Sequence, residues 1–278
     1  MYNQRVEIAL SFCPNDVFIL SGLILEKIKS TFPLKFLFAD IERLNNWAFE
    51  ALFPVIKTSF ALYPHLATHY EILGCGTAMG FGVGPILVSL EADLELSSKK
   101  VALPGKLTTA NFLMELFFPQ CYERVYLPYQ EIIPALLTKK VDFGVLIHEG
   151  RFVYQRYGLN LLTDLGSLWE SKTGLPLPLG GFLIRRDLTR ELKDEVLKLF
   201  RESLKYSRDH REEVYPLLRE YAQELDRDTI FKHVNTFVND YTYRLMDEAL
   251  AGLRVFFSHL GFQFKTEEHL WESENGVF

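Results

Sequence analysis

The sequence predicts an α/β protein whose sheets are mostly parallel and covered by helices on both faces. Two patterns carry that expectation: residues 5–185 alternate short β-rich runs with helical stretches, and residues 188–260 are almost entirely helical. Strands alternating with helices favour parallel sheets, because each crossover helix returns the chain to the same end of the sheet and buries its apolar stripe there. The 278 residues, 48% hydrophobic and 24% charged, suffice for one large domain or two modest ones.

Taken in order, the first strand covers 6–10, and Asn15-Asp16 reads as the capped start of a helix over 17–29. Strands follow at 34–38, 55–57 and 71–73. The glycines from Gly74 to Gly84 read as a flexible connection into a strand at 85–90. They are not a dinucleotide fingerprint, which needs a helix after the turn to hold a pyrophosphate. The polar stretch 95–100 precedes a strand at 101–103, and Thr108-Thr109 opens a helix over 110–118. Strands at 124–127, 142–147 and 181–185 complete the alternating part. In the C-terminal part Leu192, Val196, Leu199 and Phe200 share one helical face, which needs a sheet to cover. This order suggests a first lobe of residues 1–98 and 186–278, a second of 99–185, and hinge crossings near 95–100 and 185–188. A cleft between lobes is a usual place for a small ligand.

Several classes of function are excluded. A net charge of −6, with no large Lys/Arg cluster, argues against nucleic-acid binding. No apolar run reaches the ~20 residues that span a bilayer, and the start shows no signal-peptide pattern, so a cytoplasmic protein is expected. Cys13, Cys75 and Cys121 fit neither a disulfide framework nor a zinc knuckle. The other histidines lack ligand spacing, so no metal is expected, and there is no G-x-S-x-G elbow.

The most informative stretch is 141–152, where an apolar strand runs into His148 at a polar turn. Strand C-termini in open α/β sheets face the ligand crevice, so this imidazole can reach a substrate; a bond to a nearby backbone carbonyl is the alternative. Lys57-Thr58-Ser59 sits at another strand end and could hold a carboxylate or polarise a carbonyl, the alternative being a surface lysine. Gly105-Lys106-Leu107-Thr108 is no Walker A loop, because leucine follows the lysine. Thr108-Thr109 is either an anion site or a pair of helix caps, and local sequence does not choose between them. Cys13 has no partner that sequence establishes as its base, and Asn15 and Asp16 are assigned to loop geometry and capping.

Five ordered motifs bring a resemblance. Ser11-Phe12-Cys13-Pro14-Asn15-Asp16, Lys57-Thr58-Ser59-Phe60, Pro104-Gly105-Lys106-Leu107-Thr108-Thr109, Ile147-His148-Glu149-Gly150-Arg151-Phe152 and Thr173-Gly174-Leu175-Pro176-Leu177-Pro178-Leu179-Gly180 together resemble the 1,4-dihydroxy-6-naphthoate synthases of the futalosine route to menaquinone. The likeness covers nearly the whole chain. It implies a two-lobed periplasmic-binding-protein-like fold of type II, a cytoplasmic enzyme without metal or organic cofactor, and a small-molecule carboxylate substrate, cyclic dehypoxanthine futalosine. The implied reaction is a carbon–carbon lyase step that releases dihydroxyacetone. By motif, His148 matches the family's proton acceptor, and Lys57, Thr58, Ser59, Thr108 and Thr109 lie in its substrate-contact segments. Phe12 and Thr58 depart from the family's common residues, proline and an apolar side chain. The rivals are the chorismate dehydratase of the same pathway, a solute-binding protein and a regulator's effector domain. The histidine motif disfavours the first, the missing signal sequence the second, and the lack of a helix-turn-helix before Val6 the third.

Overall fold

The computed structural model describes residues 5–93, 95–119, 122–222 and 226–272, so Cys121 lies outside the described residues. Among these, twelve strands form two sheets. The first contains β1 (Val6–Ser11), β2 (Leu34–Ala39), β3 (Val55–Ser59), β4 (Tyr70–Leu73) and β5 (Ala78–Gly80). The second takes β6 (Ile86–Ser89), β7 (Lys99–Leu103), β8 (Tyr122–Tyr126), β9 (Phe143–Leu146) and β10 (Asn160–Asp164). β11 (Leu177–Arg185) and β12 (Leu270–Trp271) return to the first. The orders are β12-β4-β11-β3-β1-β2, with β5 beside β11, and β10-β6-β9-β7-β8.

The parallel alternation holds at the centre of each sheet. β1 pairs parallel with β2 and β3, in register Ile8 to Phe36 and Ile8 to Val55, and β7 pairs parallel with β8 and β9. The expectation of mostly parallel sheets fails elsewhere. β11 runs antiparallel to β3, β4 and β5, and β6 runs antiparallel to β9 and β10. β6 and β11 are the strands by which the chain enters one sheet from the other. Neither arrives through a crossover helix of its own sheet, so nothing sets it parallel to its neighbours.

The sheet changes fall at 81–85 and 165–176, not at 95–100 and 185–188. Residues 86–89 therefore belong with the second sheet and 177–185 with the first, which moves both lobe boundaries. The charged 95–100 stretch leads into and begins β7, exposed except for Leu96, which is buried in the core. The glycine-rich run is not a flexible connection: residues 74–80 are buried and include β5. Its glycines serve close approach. A Cβ on Gly84 would stand 2.2 Å from Gly166 Cα, so the two crossings touch backbone to backbone.

The C-terminal helices cover the first sheet as their periodicity requires. In the helix Arg190–Asp209, Val196, Leu199 and Phe200 are buried, and Phe200 meets Phe182 of β11 edge to face at 4.9 Å. Burying each such side chain contributes about 1.5–3 kcal/mol. The same helix packs on Pro14–Ile24, where Ser203 Oγ accepts from the Leu23 N–H.

Candidate active site

The C-terminal ends of β1, β3 and β9, the helix Thr109–Phe117 and the middle of β11 converge on one cavity between the sheets. All six residues expected from sequence line it: Lys57, Thr58, Ser59, Thr108, Thr109 and His148. Ser11, Asn15, Asp16, Arg151 and Phe237 join them.

Lys57 is buried, with its ammonium 2.7 Å from Asp16 Oδ1 and donating to the Gly76 carbonyl at 3.2 Å. Asp16 also accepts from Ser11 Oγ at 2.6 Å and from Asn15 Nδ2 at 2.8 Å. Asn15 and Asp16 are therefore not helix caps. The helix starts at Pro14 with Cys13 as N-cap and no side-chain cap bond. Proline is favoured in the first turn, which pushes the two polar residues inside the helix, where the fold turns them toward the cavity.

His148 follows β9 with φ of +52°, a left-handed backbone that costs a non-glycine residue about 1–3 kcal/mol and is tolerated where surroundings impose it. Its ring is partly buried. Cys13 Sγ lies 3.1 Å from Nδ1 and 3.5 Å from Nε2, and Tyr129 stands edge-on at 4.8 Å. Burial, helped by the Lys57 charge and opposed by Asp16, brings its pKa down to about 4. The imidazole is thus neutral at cellular pH. Burial, with the Glu149 and Asp16 charges, pushes the Cys13 thiol well above its ordinary range. A neutral thiol beside a neutral imidazole is not the activated pair of a cysteine nucleophile, which requires thiolate.

The threonines divide. Thr108 Oγ caps its helix, accepting from the Asn111 N–H at 3.3 Å and donating to the Gly105 carbonyl at 2.8 Å. Thr109 Oγ donates across the cleft to the Leu179 carbonyl at 2.7 Å. Part of the expected anion site is filled from within: Glu42 accepts from the N–H of Lys106 at 3.0 Å and of Leu107 at 3.4 Å. The first-turn N–H groups of Thr109 and Ala110, which have no carbonyl partner inside their own helix, remain the donors of interest. Ser59 is bonded through its N–H and hydroxyl to Asn45. Thr58 Oγ is buried without a hydrogen-bond partner, a polar handle left for a ligand.

Arg151 joins the His148 loop to both crossings, donating to the Gly84 carbonyl and standing 3.3 Å from Asp164 Oδ2. Asp164 in turn caps the helix Leu165–Thr173. Sequence reasoning missed Ser11, Asn15, Asp16, Arg151, Asn45 and Glu42 as site residues. Pro14 was the signal for the first three; for Asn45 and Glu42 local sequence carries none. Among the described residues no group of three or more His, Cys, Asp or Glu could hold a metal ion, and no helix is long and apolar enough to cross a membrane.

Two lobes with a chemically equipped cleft between them define a binding-protein-like enzyme scaffold. Among solved structures, the alkanesulfonate-binding protein of Xanthomonas axonopodis bound to MOPS shares the fold at a TM-score of 0.72 and 12% identity, covering 98% of this chain and 100% of that one. A crystal structure from Archaeoglobus fulgidus is nearer, with a TM-score of 0.90 and 34% identity over 94% of this chain and 98% of that one. The menaquinone biosynthesis family profile matches residues 6–261. Curated relatives named 1,4-dihydroxy-6-naphthoate synthase are 40% identical in Thermus thermophilus, over 88% of this chain and 90% of the relative, and 37% in Streptomyces coelicolor, over 91% and 92%. The chain belongs to the 1,4-dihydroxy-6-naphthoate synthase family of menaquinone biosynthesis enzymes.

Proposed function

We propose that this enzyme cleaves cyclic dehypoxanthine futalosine to 1,4-dihydroxy-6-naphthoate and dihydroxyacetone in the cytoplasm, without metal or organic cofactor, with His148 as general base. The observation that carries the reading is the neutral His148 imidazole in the same cavity as every family-matched substrate residue. A neutral imidazole accepts the proton of a substrate hydroxyl, and the resulting alkoxide collapses to a carbonyl as the adjacent carbon–carbon bond breaks. The bonding electrons pass to the ring-side fragment. The Lys57 ammonium, the Thr58 hydroxyl and the N–H groups of Thr109 and Ala110, residues that line the same cavity, are assigned as the donors that receive that charge. A pKa of about 4 makes the free imidazole a weak base. The substrate carboxylate adds negative charge beside it, offsets Lys57 and raises its basicity.

The lobes close on substrate by bending at 81–85 and 165–176, where the sheet changes lie. Incubating pure protein with cyclic dehypoxanthine futalosine, with and without EDTA, tests the reading by mass spectrometry. Equal yields of naphthoate in both arms are expected. No naphthoate overturns the reaction, activity lost with EDTA and restored by zinc overturns cofactor independence, and turnover of chorismate instead points to the dehydratase.

A further inference from the structure

His233 lies in the helix Arg227–Phe237, is fully buried, and does not line the cavity. A buried imidazole left without partners is costly, so its bonds explain its presence. Nε2 is 2.8 Å from Asn15 Oδ1. An amide oxygen has no proton to give, so Nε2 carries the hydrogen and donates it. Asn15 Nδ2 then donates to Asp16 Oδ1, the oxygen that also holds the Lys57 ammonium. Only this orientation of the Asn15 amide makes both bonds, because the reversed one would set its oxygen against the Asp16 carboxylate.

The ring face has a second task. His233 stacks on His148 with centroids 6.1 Å apart and planes 15° from parallel, while Phe152 and Phe237 hold it at 6.2 and 4.7 Å. Nδ1 has no hydrogen-bond partner and stands 3.9 Å from Glu149 Oε2. Burial, then the nearby His148 and Arg151, lower its pKa well below the usual histidine value, which keeps the single-proton form the bonding requires.

We propose that His233 is a positioning residue for the reaction: its Nε2–H fixes the Asn15 amide, which sets Asp16 and through it Lys57, while its ring holds the plane of His148. The inference rests on His148 being the base. The titratable groups around His148 are Cys13 and Asp16 from the first motif, Lys57 from β3, Tyr129 from the helix Tyr129–Leu137, His233 from above, and Glu149 and Arg151 from its own loop.

Two substitutions separate the parts. His233→Phe keeps ring and volume but removes the donor, and His233→Gln restores an N–H without the ring. His233→Phe should lower kcat by about 10- to 100-fold, the scale of a small misplacement at the reacting centre, with little change in KM. The acid limb of its kcat/KM profile should move to higher pH, because an Asn15 amide no longer fixed by His233 holds Asp16 less well, and the less compensated Asp16 charge pulls harder on the His148 proton. His233→Gln should recover much of kcat and the wild-type acid limb. A purely structural role would lower thermal stability and leave the profile in place. Wild-type kcat and profile in His233→Phe, or no recovery in His233→Gln, overturns the proposal. Nitrogen NMR of the unsubstituted protein decides the matter if the variants do not fold: a proton on Nε2 and a bare Nδ1 at neutral pH are expected, and a proton on Nδ1 overturns it. Failure of the base assignment shows separately, as turnover retained by His148→Ala.

Discussion

Replacing Asp16 by asparagine probes the element sequence reading misassigned. The carboxylate and the Lys57 ammonium are 2.7 Å apart with side chains only 2% and 5% exposed, so neither charge can turn to water for compensation. Asparagine keeps the shape and an acceptor for Ser11 Oγ but removes the charge. Breaking a buried pair from one side costs roughly 3–5 kcal/mol, because the remaining charge stays desolvated. For a chain of this size that is a fall in Tm on the order of 5–15 °C. The double variant Asp16→Asn/Lys57→Met should regain at least half of the loss, since an apolar replacement of both partners is often neutral. Activity should not return with it. With Asp16 gone, the two remaining influences on His148, burial and Lys57, both weaken the base, and with both gone the cavity lacks its ammonium donor. Urea titrations of the three proteins at pH 7, with product yield in parallel, make the test. An Asp16→Asn chain within about 1 kcal/mol of wild type, below the range for breaking a buried pair, would refute the reasoning.

Other outcomes follow from the same geometry. The His148 pKa in the folded chain is about 4, below the ordinary 6.5, so the folded state binds fewer protons between these values. Stability from this residue is present above pH 6.5, is lost as pH falls to 4, and amounts to about 3 kcal/mol; His148→Gln should flatten denaturation midpoints over that window. Thr58→Val should weaken substrate binding by about 0.5–3 kcal/mol in calorimetry without loss of stability, since its hydroxyl has no internal partner. Thr108→Val should instead cost about 0.5–2 kcal/mol of stability by removing a helix cap; the reverse pattern would undo both assignments. Gly84→Ala should lower both Tm and activity, because its Cβ would meet Gly166 Cα at 2.2 Å, and an unperturbed variant would contradict the backbone contact between the crossings.

The strand ends were legible because period and punctuation are local: β1, β3, β7 and β9 fall where apolar runs meet polar turns. His148 stands just after β9 and Thr108-Thr109 at the helix start that follows β7, whereas Lys57 proves to be the middle residue of β3. β10, reading Asn160-Leu161-Leu162-Thr163-Asp164, and the two-residue β12 carry too little pattern to be seen, and their strand character comes from pairing with β6 and β4. The polarity of β6 and β11 was hidden for the same reason, as it is decided by which sheet the chain has just left. Asn15 and Asp16 were visible but misread, since an acidic residue before an apolar run looks like a cap until Pro14 is given its weight. Glu42 meets the 106–107 N–H groups that follow β7 of the second sheet, and Asn45 meets Ser59 of β3, tertiary contacts without a local signature.

Single-turnover conversion of cyclic dehypoxanthine futalosine by wild type and His148→Ala, followed by naphthoate absorbance and mass, tests the central claim most directly. The variant should fold, bind substrate and turn it over about 10²- to 10⁴-fold more slowly, the usual worth of a positioned base. A folded His148→Ala protein that forms naphthoate at the wild-type rate would remove the imidazole from the chemistry and contradict the account.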